Sequence, residues 1–216
     1  MIKTIITLLL SVFALQYNAQ DARAILDKTE KKYTAVKKFN ADIRIQSNIP
    51  ALKILPAQAK MKYTAPDQLE ITSKSIIVLP KQGFREIQNI ITQKSKYTAM
   101  HMGMAKINGK NCHLITLLPL SDKEDWIMAK IWVEESEYLI LQSQTTTKSS
   151  GTLKVNYKYG TQKKWALPEQ MTVEVDVQKF KIPKGVATDL HRNREEKNQG
   201  TTGTIVLDFS NYQINP

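Results

Sequence analysis

Two short runs, TLKVNYKY at 152–159 and MTVEVDV at 171–177, alternate apolar and polar residues without a break. Leu153, Val155, Tyr157 and Tyr159 face one way, and Lys154, Asn156 and Lys158 the other. Met171, Val173, Val175 and Val177 oppose Thr172, Glu174 and Asp176 in the same manner. A period of two is the strand period, and strands with one greasy and one wet side belong to an antiparallel sheet covered on one face. FNADIRIQ and AKMKY alternate likewise, QLEIT and SIIVLP follow as strands, and the period is two almost throughout CHLITLL, WIMAKIWV, YLILQSQTTT and TIVLDFSNY, with both faces of WIMAKIWV apolar. Turn chemistry such as Ala65-Pro66-Asp67, EESE, SSG and YGTQKK separates the runs. The expectation is an α+β fold of about nine to ten strands in meander order. Such a sheet curves strongly into an incomplete β-barrel, and its apolar concave face must be covered by helices.

The cover is legible in two places. In DARAILDKTEKKYTAVKKF, residues 21–39, Ala22, Ile25, Leu26, Tyr33 and Val36 recur at helical spacing while Lys28, Lys31 and Lys32 fall elsewhere. Asp21 suits the N-cap, where its carboxylate can accept a bond from an orphan backbone N–H. The stretch from Phe84 to Met104 is ambiguous, but Phe84, Ile87, Ile90 and Ile91 in FREIQNIIT support a short second helix.

The first twenty residues read as a signal peptide. Lys3 gives a positive start, and the apolar run from Ile5 to Leu15 is shorter than the roughly 20 residues a membrane span needs. A polar segment containing Ala19 follows, so cleavage is expected near residue 19 or 20 and a periplasmic location with it. Residues 21–216 then form a single domain, interrupted by a polar, charge-mixed loop near 181–203. Cys112 is the sole cysteine, which excludes an intramolecular disulfide. The net charge is +11, with Lys3 in the leader contributing one unit of it. The lysines are scattered rather than gathered in a basic block with stacking aromatics, which argues against nucleic acid and leaves an anionic membrane surface as a partner.

Catalysis finds no support. Gly-x-Ser-x-Gly, a phosphate-binding glycine loop and zinc spacings are absent, and no cofactor is implied. Cys112 and His113 are adjacent on a strand and point to opposite faces, so they cannot act as nucleophile and base. Carboxylates cluster in SDKEDW and EESE, both turns. The run TAMHMGMAK, with Met100, Met102 and Met104 at alternate positions around His101, is either apolar packing, an adaptable lining for an acyl chain, or a Cu(I) site built on soft thioethers. Strand geometry places these methionines on one face about 7 Å apart, too far to share an ion unless Gly103 lets the chain curl.

The order of elements is similar to that of the periplasmic lipoprotein-carrier superfamily of Gram-negative bacteria, the LolA-like proteins. The echoes are ILDKTEKKYTAVKKFNADI in the first helix, MKYTAPDQLEI as a strand–Pro–Asp–strand hairpin, and INGKNCHLITLLP with AKIWVEESEYLILQSQTTTKSSG and LPEQMTVEV, together spanning residues 22–178. Thr64-Ala65-Pro66 stands where typical carriers have Arg-Pro. The resemblance implies a half-barrel with a helical lid over a cavity for acyl chains of a lipoprotein or lipid. It further implies a monomer that exchanges cargo with a membrane-associated donor or acceptor protein. Alternation nominates the lining: Ala59, Met61 and Tyr63 from one strand, Leu69 and Ile71 from the next, Leu153, Val155 and Tyr157, then Met171, Val173 and Val175, with Met100, Met102 and Met104 as a movable edge. The same positions would equally form sealed core. An envelope sensor or protein-interaction module of the same fold is the alternative function, and a Cu(I)-binding protein the third.

Overall fold

The computed structural model describes residues 22–50, 54–75, 77, 85–176 and 202–215. The expected signal peptide and cleavage point, Asp21 and Phe84 lie outside these residues, as do most of SIIVLP and all but the end of the polar 181–203 segment. Helix α1 covers 22–33. Strands β1 (Lys38–Asn48), β2 (Ala57–Thr64) and β3 (Gln68–Ser73) follow, then helix α2 (Glu86–Thr92). Seven strands complete the sheet: β4 (Tyr97–Ile107), β5 (Lys110–Pro119), β6 (Trp126–Glu134), β7 (Ile140–Thr147), β8 (Gly151–Tyr159), β9 (Pro168–Asp176) and β10 (Thr202–Asn215).

All ten strands join one sheet in the order β3-β2-β1-β10-β9-β8-β7-β6-β5-β4, every described pair antiparallel. The edges β3 and β4 do not pair, so the barrel stays open between them. The expected simple meander is corrected in one respect. Strands β1–β3 and β4–β9 each meander, but β10 inserts between β1 and β9 and joins the two groups.

Alternation sorts the side chains as the sequence requires. One row of directly opposed residues, Ile115, Ile131, Ser143, Val155, Val173 and Ile205, crosses six strands on the inner face. None is more than 2% exposed. On the outer face the ion pair Lys154–Glu174, at 3.0 Å, joins neighbouring strands in water. The inner face is not wholly apolar, because Ser143, Thr145 and Thr147 of β7 are buried there.

Helix α1 is fastened over this face. Ala22, Ile25, Leu26, Thr29 and Tyr33 form its buried stripe, and the Thr29 hydroxyl donates to the Ile25 carbonyl at 3.0 Å. The Tyr33 end makes a closed ring of hydrogen bonds with β7 and β8. The Ile140 N–H donates to Tyr33 Oη at 3.1 Å, and Tyr159 Oη donates to the Ile140 carbonyl at 2.9 Å. That commits the Tyr159 proton, so Tyr33 donates to Tyr159. Lys32 Nζ donates to the Glu137 carbonyl and Lys28 Nζ to Tyr138 Oη in the β6–β7 turn. Midway along the helix Lys94 Nζ meets Asp27 at 2.8 Å and Glu30 at 2.6 Å. Helix α2 is only seven residues long, has no side-chain N-cap and buries Ile87, Ile90 and Ile91.

Replacing Tyr33 by Phe leaves the buried Ile140 N–H without an acceptor. Urea unfolding should show a loss of about 1–3 kcal/mol, the desolvation cost of such a donor.

Candidate ligand site at the open edge of the sheet

The sequence-nominated positions divide by depth. Ala59, Met61 and Tyr63 of β2, Val155 and Tyr157 of β8, and Met171, Val173 and Val175 of β9 are buried, none above 6% exposed. Leu69 and Ile71 on edge strand β3, and Leu153 on β8, are half-buried. Register places Leu153 opposite Val175 and Tyr157 opposite Met171, so the two strands contribute to one face. Both helices lie directly on that face. A void of about 40 Å³ is left where Tyr33 of α1, Arg85 and Gln88 at α2, and Met61, Tyr63 and Met171 meet. That is room for about one water molecule.

The methionine run requires a correction. Met100, Met102 and Met104 do not share a face, because a bulge intervenes between His101 and Met104, with Gly103 at φ +98. Met100 stands opposite Thr116 and Met104 opposite His113, which are on different sides of β5. They are 39%, 58% and 51% exposed, so in this arrangement none lines the covered interior. The bulge moves Met104 onto the side carrying His101 and His113. Those two imidazoles, far apart in sequence terms, meet with His113 Nδ1 and His101 Nε2 3.2 Å apart.

A larger cavity, of about 360 Å³, opens where the sheet fails to close. Leu69 of β3 stands on one side and Tyr97 of β4 and Trp126 of β6 on the other, with Ile90 of α2 between them. Charged groups ring the apolar patch: Asp67, Arg85, Glu86, Lys96 and Glu124. Arg85 borders both this cavity and the void under the helices. Its guanidinium lies 3.8 Å from the Tyr63 ring centroid, a cation–π contact. Sequence reasoning did not nominate Trp126, Arg85 or Glu86. The Trp126 alternation is broken by a bulge before Met128, which turns Ile127 outward at 49% exposed and leaves Trp126 buried. No sequence signal marks Arg85 or Glu86.

Burial dominates the electrostatics. It pushes the Glu86 carboxyl up to about 7, assisted by the nearby charge of Asp125. Glu86 Oε2 is buried without a hydrogen-bond partner. Burial likewise raises Tyr33 to about 12 and Tyr157, Tyr159 and Tyr212 further still, so their hydroxyls remain neutral donors. Cys112 is fully buried and its thiol is pushed up by that burial, which makes it a packing residue rather than a nucleophile. Among the described residues no three His, Cys, Asp or Glu side chains converge to hold a metal. What the arrangement offers is an apolar surface with neutral hydroxyls beneath it and a charged rim.

Solved structures share this architecture. A DUF1329 family protein from Desulfovibrio piger matches with a TM-score of 0.63 at 11% identity, over 92% of this chain and 93% of its own. A protein from Vibrio parahaemolyticus described as an outer membrane lipoprotein-sorting protein domain matches with a TM-score of 0.59 at 10% identity, covering 91% and 93%. A LolA superfamily protein from Nitrosomonas europaea matches with a TM-score of 0.53 at 11% identity, covering 90% and 94%. The chain therefore has the LolA-like fold over nearly its whole length. No protein-family model matches the sequence, and no curated protein matches it either.

The raised Glu86 carboxyl has a signed consequence. The folded protein holds this proton more tightly than the unfolded chain, whose glutamate titrates near 4.5. The stability it contributes is present below pH 4.5 and is lost as pH rises to about 7. The variant Glu86→Gln should match the wild type in stability near pH 4.5 and exceed it above pH 7 in denaturant titrations across that range.

Proposed function

We propose that this is an exported, periplasmic binding protein that carries a hydrophobic acylated ligand, a lipoprotein or lipid, and does not catalyse a reaction on it. One observation carries the reading. The cavity of about 360 Å³ at the unclosed edge is within the roughly 300–1,000 Å³ range of small-molecule sites. Through Arg85 it adjoins the apolar inner face beneath the helices.

The inner face as it stands is filled, so an acyl chain enters by displacing protein. Helix α2 is the element suited to move. It has two turns, no capping side chain and a carboxyl, Glu86, buried without a partner. Swinging α2 away would expose Met61, Tyr63 and Met171 along with Ile87, Ile90 and Ile91 of the helix itself. Each methylene of an incoming chain then gains roughly 0.8 kcal/mol by leaving water, which offsets the contacts the helix gives up. Helix α1, held by the Tyr33 ring and by ion pairs at Asp27 and Glu30, stays in place. A membrane-associated donor or acceptor that engages the rim would load or release the cargo. The likeness in fold to the lipoprotein-sorting domain and the LolA superfamily protein supports this reading at the level of architecture.

Protein isolated from a bacterial envelope should carry a co-purifying lipid or lipopeptide in native mass spectrometry. The delipidated protein should bind a fluorescent fatty-acid probe. Leu69→Asp, at a half-buried rim position, should weaken the probe severalfold while leaving the thermal midpoint nearly unchanged. An empty protein that ignores acyl probes overturns the proposal.

A further inference from the structure

We propose that His101, His113 and Met104 form a Cu(I) site at the β4–β5 edge of the sheet, separate from the acyl-ligand reading and not dependent on it. Three observations place the ligands. His101 and His113 project from adjacent strands onto the same side, since His101 stands opposite Ile115 and His113 lies two residues before Ile115 on β5. Their facing nitrogens, Nε2 and Nδ1, are 3.2 Å apart with the rings inclined at 57°. Two metal–nitrogen bonds of about 2.0 Å at a near-tetrahedral angle span about 3.3 Å, so an ion fits between these atoms with little ring movement.

The third ligand comes from the bulge. Uninterrupted strand geometry would put Met104 on the side of Met100 and Met102, away from the histidines. One extra residue in the bulge, where Met102 and Gly103 together face Leu114, reverses its facing and sets it directly opposite His113. Opposed residues on antiparallel strands have Cβ atoms about 4.5–5.5 Å apart, within the reach of a flexible thioether. Thus the two-histidine pair gains one sulfur, and the methionine triplet that the sequence suggests is not the donor set.

The donor set selects the ion. Imidazole accepts zinc and copper alike, but a neutral thioether favours soft monovalent copper over zinc. A neutral histidine pair keeps one proton on each ring. Binding therefore needs only that the ring protonated at the shared contact pass to its other tautomer, its proton then sitting on the nitrogen turned away from the metal. Both histidines are half-buried and Met104 is 51% exposed.

The test is anaerobic Cu(I) titration of the full chain against a chromophoric chelator. One equivalent should bind. His101→Ala, His113→Ala and Met104→Leu should each weaken it by about tenfold or more, while Met100→Leu, on the opposite face, should leave it unchanged. X-ray absorption of the copper-loaded wild type should show nitrogen scatterers and one sulfur, and this stands even if a histidine variant fails to fold. The proposal is overturned if the wild type binds no better than a His101→Ala/His113→Ala double variant, if Met100→Leu weakens binding as much as Met104→Leu, if the shell holds no sulfur, or if Zn(II) displaces Cu(I) at equal concentration.

Discussion

An apolar sheet face that does not close on itself must be roofed by something other than sheet. Ten strands leave β3 and β4 unpaired here, and the row from Ile115 to Ile205 lies beneath two helices. Everything else in the molecule follows from how that roof is attached. Helix α1 is fastened twice, by the Tyr33–Tyr159–Ile140 ring at its C-terminal end and by the Lys94 ion pairs with Asp27 and Glu30 along its middle. The ring is the stronger fastening. It is buried, closed on itself and made of hydroxyls that burial keeps neutral, whereas exposed ion pairs contribute about 0–1 kcal/mol each. Helix α2 is held by fewer contacts: it buries three isoleucines, and Tyr97 Oη donates one hydrogen bond to its Ile91 carbonyl at 3.0 Å.

The half-barrel thus has one cover held by many contacts and one held by few, and the second sits at the seam where the cavity opens. In the proposed binding role the first helix preserves the shape of the apolar surface, while the second yields to a ligand without the sheet losing its register. Local opening of a short element with few fastenings costs far less than global unfolding.

The sequence made the sheet legible because period-two alternation survives wherever one face is wet. It also located both helices, through apolar residues at helical spacing in each. It did not reveal β4 as a strand. There the apolar positions are methionine, alanine and histidine, and the Gly103 bulge shifts the alternation midway. The insertion of β10 between β1 and β9 was equally hidden, because pairing between distant segments leaves no local trace. At the site, alternation found the residues of β2, β8 and β9 that share the inner face. It passed over Trp126, whose phase is reset by a bulge, and Arg85 and Glu86, whose roles arise only from the neighbours that folding brings. The meeting of His101 with His113 likewise arises only from the pairing of β4 with β5.

The place of β10 has a consequence for how such a chain comes to be folded. The strand nearest the C-terminus forms the keystone of the sheet, with β1 and β9 on its flanks. Until it is present, the polypeptide can assemble only a three-stranded and a six-stranded piece, each with a raw inner edge. Completion of the sheet therefore waits for β10, which unites the two pieces in one long-range step.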